Sequence, residues 1–227
     1  GAQAELNSGI DRESFRLIET APGVAAGPDG APLLSPEAYV ITDGTLRASG
    51  SDGNLGLRGV TETATGFRPG FRLISGRMFE PGAAEIIAGE GVLAEFEGFG
   101  LGETLRLGTN EWTIVGVFST GGTANDSEIW ADLAVIQNLY QRGSAVSSIR
   151  AALVTPEAIA ELQTFIEDEP RLRLEAVSER EFFARQAGGL SAVIRFVGWP
   201  LSVLMAVGAL AGAWNAMYAS VDGRVRE

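Results

Sequence analysis

The chain has 227 residues, of which 45% are hydrophobic and 20% charged: enough for one large or two small domains, and too apolar for a disordered polypeptide. It contains no Cys and no His, and all 17 basic residues are Arg, which excludes disulfides, thiol and Ser-His-Asp catalysis, Cys/His zinc sites, Schiff-base chemistry and the P-loop Lys. Against 29 acids this leaves a formal net charge of −12, which phosphate backbones repel, so no nucleic-acid partner is expected.

In chain order, Ser14 to Glu19 reads as a short helix with Phe15 and Ile18 at helical spacing, stopped by Ala21-Pro22-Gly23. Residues 36–42, with Tyr39, Val40, Ile41 and Thr42, have the content of a strand, and the Gly/Ser/Asp-rich residues 43–58 read as hairpin turns or a mobile loop. From Gly59 to Leu133 short strands alternate with Gly. Glu85 to Ala88 is a strand, Gly91 to Phe96 a short helix, and Thr104 to Phe118 a hairpin turning at Thr109-Asn110. The run Gly98 to Gly102 imitates a phosphate loop but precedes a strand and has no Lys, so it reads as turn chemistry. Asp126 and Glu128 have metal-ligand chemistry, but their setting after Gly121-Gly122 reads as a solvated loop.

From Ser147 the pattern becomes alternating α and β. Ser148 to Val154 is a strand, and Thr155 caps a helix with Pro156 at its first position and Ile159, Leu162, Phe165 and Ile166 on one face. Arg171 to Val177 is a second strand, and Ser178 to Glu181 is a capping box opening a stalk helix in which Gly188-Gly189 is a weak point. The expected class is α+β. A split, porter-like α/β subdomain (1–50 and 145–189) flanks a β-rich insert (51–144). The stalk helix continues into one membrane helix (190–219), and residues 220–227 begin a cytoplasmic segment.

The membrane helix rests on charge and length. Between Arg195 and Asp222 lie 26 uncharged residues, and Phe196 to Tyr218 would span about 34 Å as a helix against a hydrocarbon core of about 30 Å. Trp199, Trp214 and Tyr218 stand near its ends, as in an aromatic belt. A core helix of a soluble domain would be shorter and carry a polar face. Pro200 is a place for a kink; Gly208, Gly212 and Asn215 suit contact with another helix, although Gly and Ala are also simply common in membrane helices. Arg224 and Arg226 after the span, 27 acids before it and the missing Cys favour an extracytoplasmic body and a cytoplasmic C-terminus. A start at Gly1 without a signal-peptide pattern reads as that of a fragment or processed product.

The series Gly76-Arg77-Met78-Phe79, Glu85 to Gly89, Gly102, Leu105 to Gly108 and Trp112 to Val117 resembles the extracytoplasmic core domain of MacB/FtsX-type ABC transporter permeases. Leu17 to Val24 is similar to that family's segment before the first strand, and Met217 to Glu227 to the close of its second membrane helix. The resemblance implies a permease with four membrane helices and its large outer domain between the first and second, so this chain would lack the first, third and fourth. It implies a bacterial cytoplasmic (inner) membrane, residues before about 190 being periplasmic. A separate ABC ATPase subunit would hydrolyse ATP, since the chain has no GxxxxGK[ST] motif. The protein would be non-catalytic and without a cofactor, transmitting motion to an outer domain that acts on a substrate or partner protein. Arg224, Arg226 and Glu227 would begin the ATPase contact, and the permease would be a homodimer or heterodimer in lipid.

Two other readings compete: a bitopic binding or adhesion domain with a single span, and a hydrolase using paired carboxylates such as Glu85 or Glu95 with Asp126.

Overall fold

A computed structural model describes residue 5 and residues 8–108, 110–182, 184, 196, 198–210 and 212–214. The chain divides into two units, Ala2–Ala176 and Val177–Glu227 with Gly1. The first is α+β, built on one eight-stranded mixed sheet.

Helix α1 (Arg12–Glu19) opens on Asp11, whose carboxylate accepts the Ser14 N–H at 2.7 Å, and buries Ile18. Strands β1 (Leu34–Thr45) and β2 (Asp52–Val60) form an antiparallel hairpin from Ala38↔Gly59 to Thr45↔Asp52. Here the composition of residues 43–58 misleads: most of this stretch is strand, with only the connection between β1 and β2 turning. Its glycines make room for side chains. A Cβ on Gly56 would meet the Tyr39 hydroxyl at 2.4 Å, and one on Gly59 would meet Ile136 at 2.9 Å.

A 3₁₀ turn (Glu62–Phe67) leads to β3 (Arg72–Gly76), then β4 (Glu85–Gly89), α2 (Glu90–Glu95), β5 (Thr104–Leu107) and β6 (Asn110–Ser119). The β5–β6 hairpin forms as expected, but Leu107 pairs with Asn110, so Asn110 belongs to the strand and not to the turn. Gly108 takes φ +61°, a conformation suited to glycine. After another 3₁₀ turn (Ala124–Ser127) come β7 (Glu128–Asp132), α3 (Leu133–Leu139), β8 (Ser148–Ala151) and α4 (Ile159–Asp168). The strand order is β3-β6-β4-β7-β2-β1-β8, with β5 also on β6; β4–β6 and β2–β7 are parallel and the other pairs antiparallel.

Strand alternation divides the interior. Ile86, Ala88, Ile129 and Ala131 enter the larger core with Trp112 and Phe99, while Ile87 and Trp130 point to a second core with Phe118 and Phe79. β6 serves both through a bulge. Ile86 pairs with Ile114 but Ile87 with Gly116, so one extra residue, Val115, sits in β6. The insertion reverses the alternation, placing Trp112 and Ile114 in one core and Phe118 in the other. A third core joins Ile18 of α1, Leu34 of β1, and Leu162 and Ile166 of α4 with Leu172.

Two expectations fail near α4. Thr155 precedes a 3₁₀ turn (Pro156–Ala158) and makes no capping hydrogen bond through its side chain. Residues 171–177 form no strand. Their apolar alternation is real, with Leu172, Leu174 and Ala176 packed on the third core, but Gln163 Nε2 holds the Ala176 carbonyl at 2.8 Å in place of a ladder.

In the second unit Ser178 opens a helical segment as expected, its hydroxyl accepting the Glu181 N–H at 3.2 Å. Residues 198–210 are helical, and their apolar side chains, with those of Phe196 and Trp214, are exposed: Phe196 by 82%, Trp199 by 72%, Leu210 by 71% and Trp214 by 72%. Among the described residues no helix is long and apolar enough to cross a membrane. The expected span of 196–218 runs partly outside them, and Gly188, Gly189, Asn215, Arg224, Arg226 and Glu227 lie wholly outside.

Candidate functional site: a buried charge cluster where a strand changes partner

β1 changes neighbours along its length: Leu34 to Glu37 pair with β8, and Ala38 to Thr45 with β2. Glu37 is the last residue of the first set, and it is fully buried. A carboxylate there needs partners, because an unpaired buried charge is costly. Arg68, just after the 3₁₀ turn, grips it as a fork, Nη1 to Oε1 and Nη2 to Oε2, both at 2.9 Å. Arg58 of β2 donates from Nη1 at 3.0 Å, Ser35 donates from Oγ at 3.3 Å, and Arg150 of β8 pairs with it at 3.4 Å.

Arg58 is itself shared. Nε and Nη2 each donate to Glu128 of β7 at 2.7 Å, and Nη1 and Nη2 reach the two oxygens of Glu5 at 3.3 Å. Its guanidinium lies over the Tyr39 ring at 4.7 Å, and that of Arg68 over Trp130 at 4.5 Å. Three guanidiniums therefore meet three carboxylates, and six segments are tied together. Among the described residues no buried side-chain N or O lacks a hydrogen-bond partner.

Burial pushes the Glu37 pKa up, but Arg68, Arg58 and Arg150 outweigh it and hold the carboxyl below its ordinary value. Burial likewise disfavours the Arg58 cation, yet Glu128, Glu5 and Glu37 hold its pKa well above the ordinary value. Each carboxylate is locked against an arginine, so the cluster is a joint and not an acid–base pair. The signal for it in the sequence was charge inside apolar runs: Glu37 before Ala38-Tyr39-Val40, Arg58 after Leu55-Gly56-Leu57, and Arg150 after Ile149.

The Gly76-Arg77 series also acquires a physical meaning. Gly76 takes φ +76°, and a Cβ there would meet the carbonyl of the bulged Val115 at 2.2 Å. Arg77 then clasps Glu85 with both arms, at 2.7 and 2.6 Å, and Glu85 also accepts the Glu80 N–H at 2.9 Å. The hydrogen bond from Arg77 holds Glu85 below its ordinary pKa, against a smaller upward push from burial. Phe79 is buried in the second core.

The carboxylates considered for metal binding or hydrolysis are otherwise engaged. Asp126 closes its own loop, accepting from Thr120 Oγ1 and Gly122 N, both at 2.7 Å, and from Thr120 N. It is buried, not solvated, because the loop packs on Gly89, where a Cβ would strike the Asp126 carbonyl at 2.2 Å. Glu85 stands at the opposite end of β4 from Gly89, and its carboxylate is taken up by Arg77 and the Glu80 N–H. Glu95 ends α2 exposed to solvent. Among the described residues no group of three or more acids is placed to hold a metal. Gly208 and Gly212 face open space, with nothing within 4 Å of an added Cβ.

Residues 8–169 match the family described as MacB-like periplasmic core domain. Comparison with curated proteins found no match. Among solved structures, the extracellular domain of the noncanonic ABC-type transporter YknZ from Gram-positive bacteria is similar in fold. Its TM-score is 0.52 at 14% identity, over 69% of this chain and 80% of that one. The periplasmic region of MacB from Actinobacillus actinomycetemcomitans aligns with a TM-score of 0.48 at 15% identity, over 71% of this chain and 72% of that one.

Proposed function

Because the chain belongs to the family of MacB-like periplasmic core domains, we propose that it is the extracytoplasmic domain, with one membrane helix, of an ABC transporter permease in a bacterial cytoplasmic membrane. It is non-catalytic in this reading. A separate ATPase subunit hydrolyses ATP, and the membrane helices pass the resulting movement to the outer domain, which acts on a substrate or partner protein.

The observation that carries the reading is the order along the chain: a family match over residues 8–169, then a helical segment at 198–210 whose apolar side chains are exposed. Exposed Phe, Trp, Leu and Met on a helix are costly in water and favourable in lipid. Gly188-Gly189 is the hinge of the stalk; Gly208, Gly212 and Asn215 face a neighbouring helix of the permease dimer; Arg224, Arg226 and Glu227 begin the ATPase contact.

The absence of Cys provides a direct test. Single Cys residues are placed at Tyr140 and at Ser220 in the full-length permease, and intact cells are treated with a membrane-impermeant maleimide. Labelling of position 140 from outside, and of position 220 only after permeabilisation, is expected; labelling of both from one side overturns the topology. Coupling is tested with Arg224→Glu and Arg226→Glu together, which should leave insertion intact and abolish stimulation of the partner ATPase. Unchanged stimulation removes the coupling role.

A further inference from the structure

The six charged groups of the cluster are not held alike. Glu37 is fully buried and Glu128 grips Arg58 at 2.7 Å through two nitrogens, but of the three carboxylates Glu5 has the longest contacts to Arg58, 3.3 Å on each arm, and is the most exposed, at 15%. Glu5 lies 53 residues from Arg58 in sequence and 143 from Ser148, whose hydroxyl donates to its Oε1 at 3.0 Å.

We propose that Arg58 and Ser148 form a carboxylate-binding site, filled in cis by Glu5 and open to an external carboxylate when Glu5 leaves it. Three features carry this. The site is preformed: three further hydrogen bonds, to Glu128 and Glu37, and the Tyr39 ring fix the guanidinium without help from Glu5. It also favours an anion, since Glu5 is one of the carboxylates that offset the buried Arg58 cation, which is costly to leave unpaired. Arg142, bound to the adjacent Ser147 hydroxyl at 3.0 Å, adds a positive charge beside Ser148. Finally, its geometry selects a carboxylate, because the Arg58 fork offers two parallel N–H groups to two oxygens and Ser148 adds a third donor to one of them.

The site is also placed to report its occupancy. Val146, Ser147 and Ser148 are consecutive. Val146 exchanges both backbone hydrogen bonds with Ile10, at 2.8 and 2.9 Å; Ser147 N–H donates to the Glu37 carbonyl at 2.7 Å; Ser148 holds Glu5. Loss of the carboxylate at Glu5 therefore loosens the tie between residues 8–10 and 146–148, next to the point where β1 changes partner. The inference concerns the folded unit alone and stands whether or not the transport reading holds.

The test is amide hydrogen exchange on the full chain in detergent, comparing wild type with Glu5→Gly. Removal of the side chain should speed exchange at Ile10 and Val146 about tenfold, the equivalent of one charge-assisted hydrogen bond. Added sodium acetate should restore protection in Glu5→Gly, while sodium chloride at the same ionic strength should not. Glu5→Gln, which fills the space without the charge, should lose protection but gain nothing from acetate, and it serves if Glu5→Gly does not fold. Unchanged exchange in both variants, or equal restoration by chloride, overturns the proposal.

Discussion

Gly116 lies so close to the Arg77 carbonyl that a Cβ at position 116 would stand 2.3 Å from that oxygen. The contact sits beside the bulge of β6, where Arg77 N–H donates to the Val115 carbonyl at 2.9 Å. No flexible side chain can yield, because both partners are backbone. Gly116→Ala should therefore destabilise by about 1–3 kcal/mol or more, as overpacking does. Gly66, in the 3₁₀ turn with nothing within 4 Å, should accept Ala within about 1 kcal/mol of neutral. Urea midpoints of the two variants provide the comparison, and equal losses would contradict the steric account.

Arg58→Met strands the buried Glu128 beside an apolar side chain and takes one arginine of three from Glu37, which keeps Arg68 and Arg150. Removing one partner of a buried ion network costs about 3–5 kcal/mol, so a marked fall in the denaturation midpoint is expected. Arg171 makes an equally well-shaped fork with Glu169, at 2.8 Å on each arm, but on the surface. Arg171→Met should leave the midpoint unchanged. If the two variants behave alike, burial is not what gives the cluster its weight.

The pH dependence follows from Glu37, whose folded pKa lies below the ordinary 4.5. A depressed carboxyl pKa contributes stability that is fully present above the unfolded value and is lost as pH falls through the folded one. Denaturation midpoints should hold between pH 7 and about 5, then decline toward pH 3. Glu37→Gln should start lower at pH 7 and decline less steeply below 4.5. Parallel curves would show that another group governs the acid limb.

Asp126 is expected to behave as a loop closure and not as a metal ligand. Asp126→Ala should cost about 1–3 kcal/mol, since it leaves the buried Thr120 N–H without its acceptor. Neither calcium nor a chelator should move the thermal midpoint of the wild-type chain. A shift of several degrees with calcium would overturn this assignment.

The sequence alone settled what depends on neighbours along the chain. The helix after Asp11, the helix through Leu162 and Ile166, the strand at Glu85 to Ala88, the β5–β6 hairpin and the α+β class were all legible, because turn residues and apolar spacing act over a few positions. The ordered Gly76-Arg77, Glu85 and Trp112 to Val117 motifs were also enough to reveal the family.

What it withheld depends on which strands lie side by side. Residues 43–58 looked like loop because glycine is poor in strands, yet Gly56 and Gly59 are required by the Tyr39 ring and by Ile136, side chains that only the fold brings near. The segment 171–177 looked like a strand because alternation records burial and not pairing. The charge cluster was hidden for the same reason: Arg58 finds Glu128 across 70 residues, and Ser148 finds Glu5 across 143. No local period encodes a partner at that distance; the sheet order decides it, by placing β1, β2, β7 and β8 around one buried carboxylate.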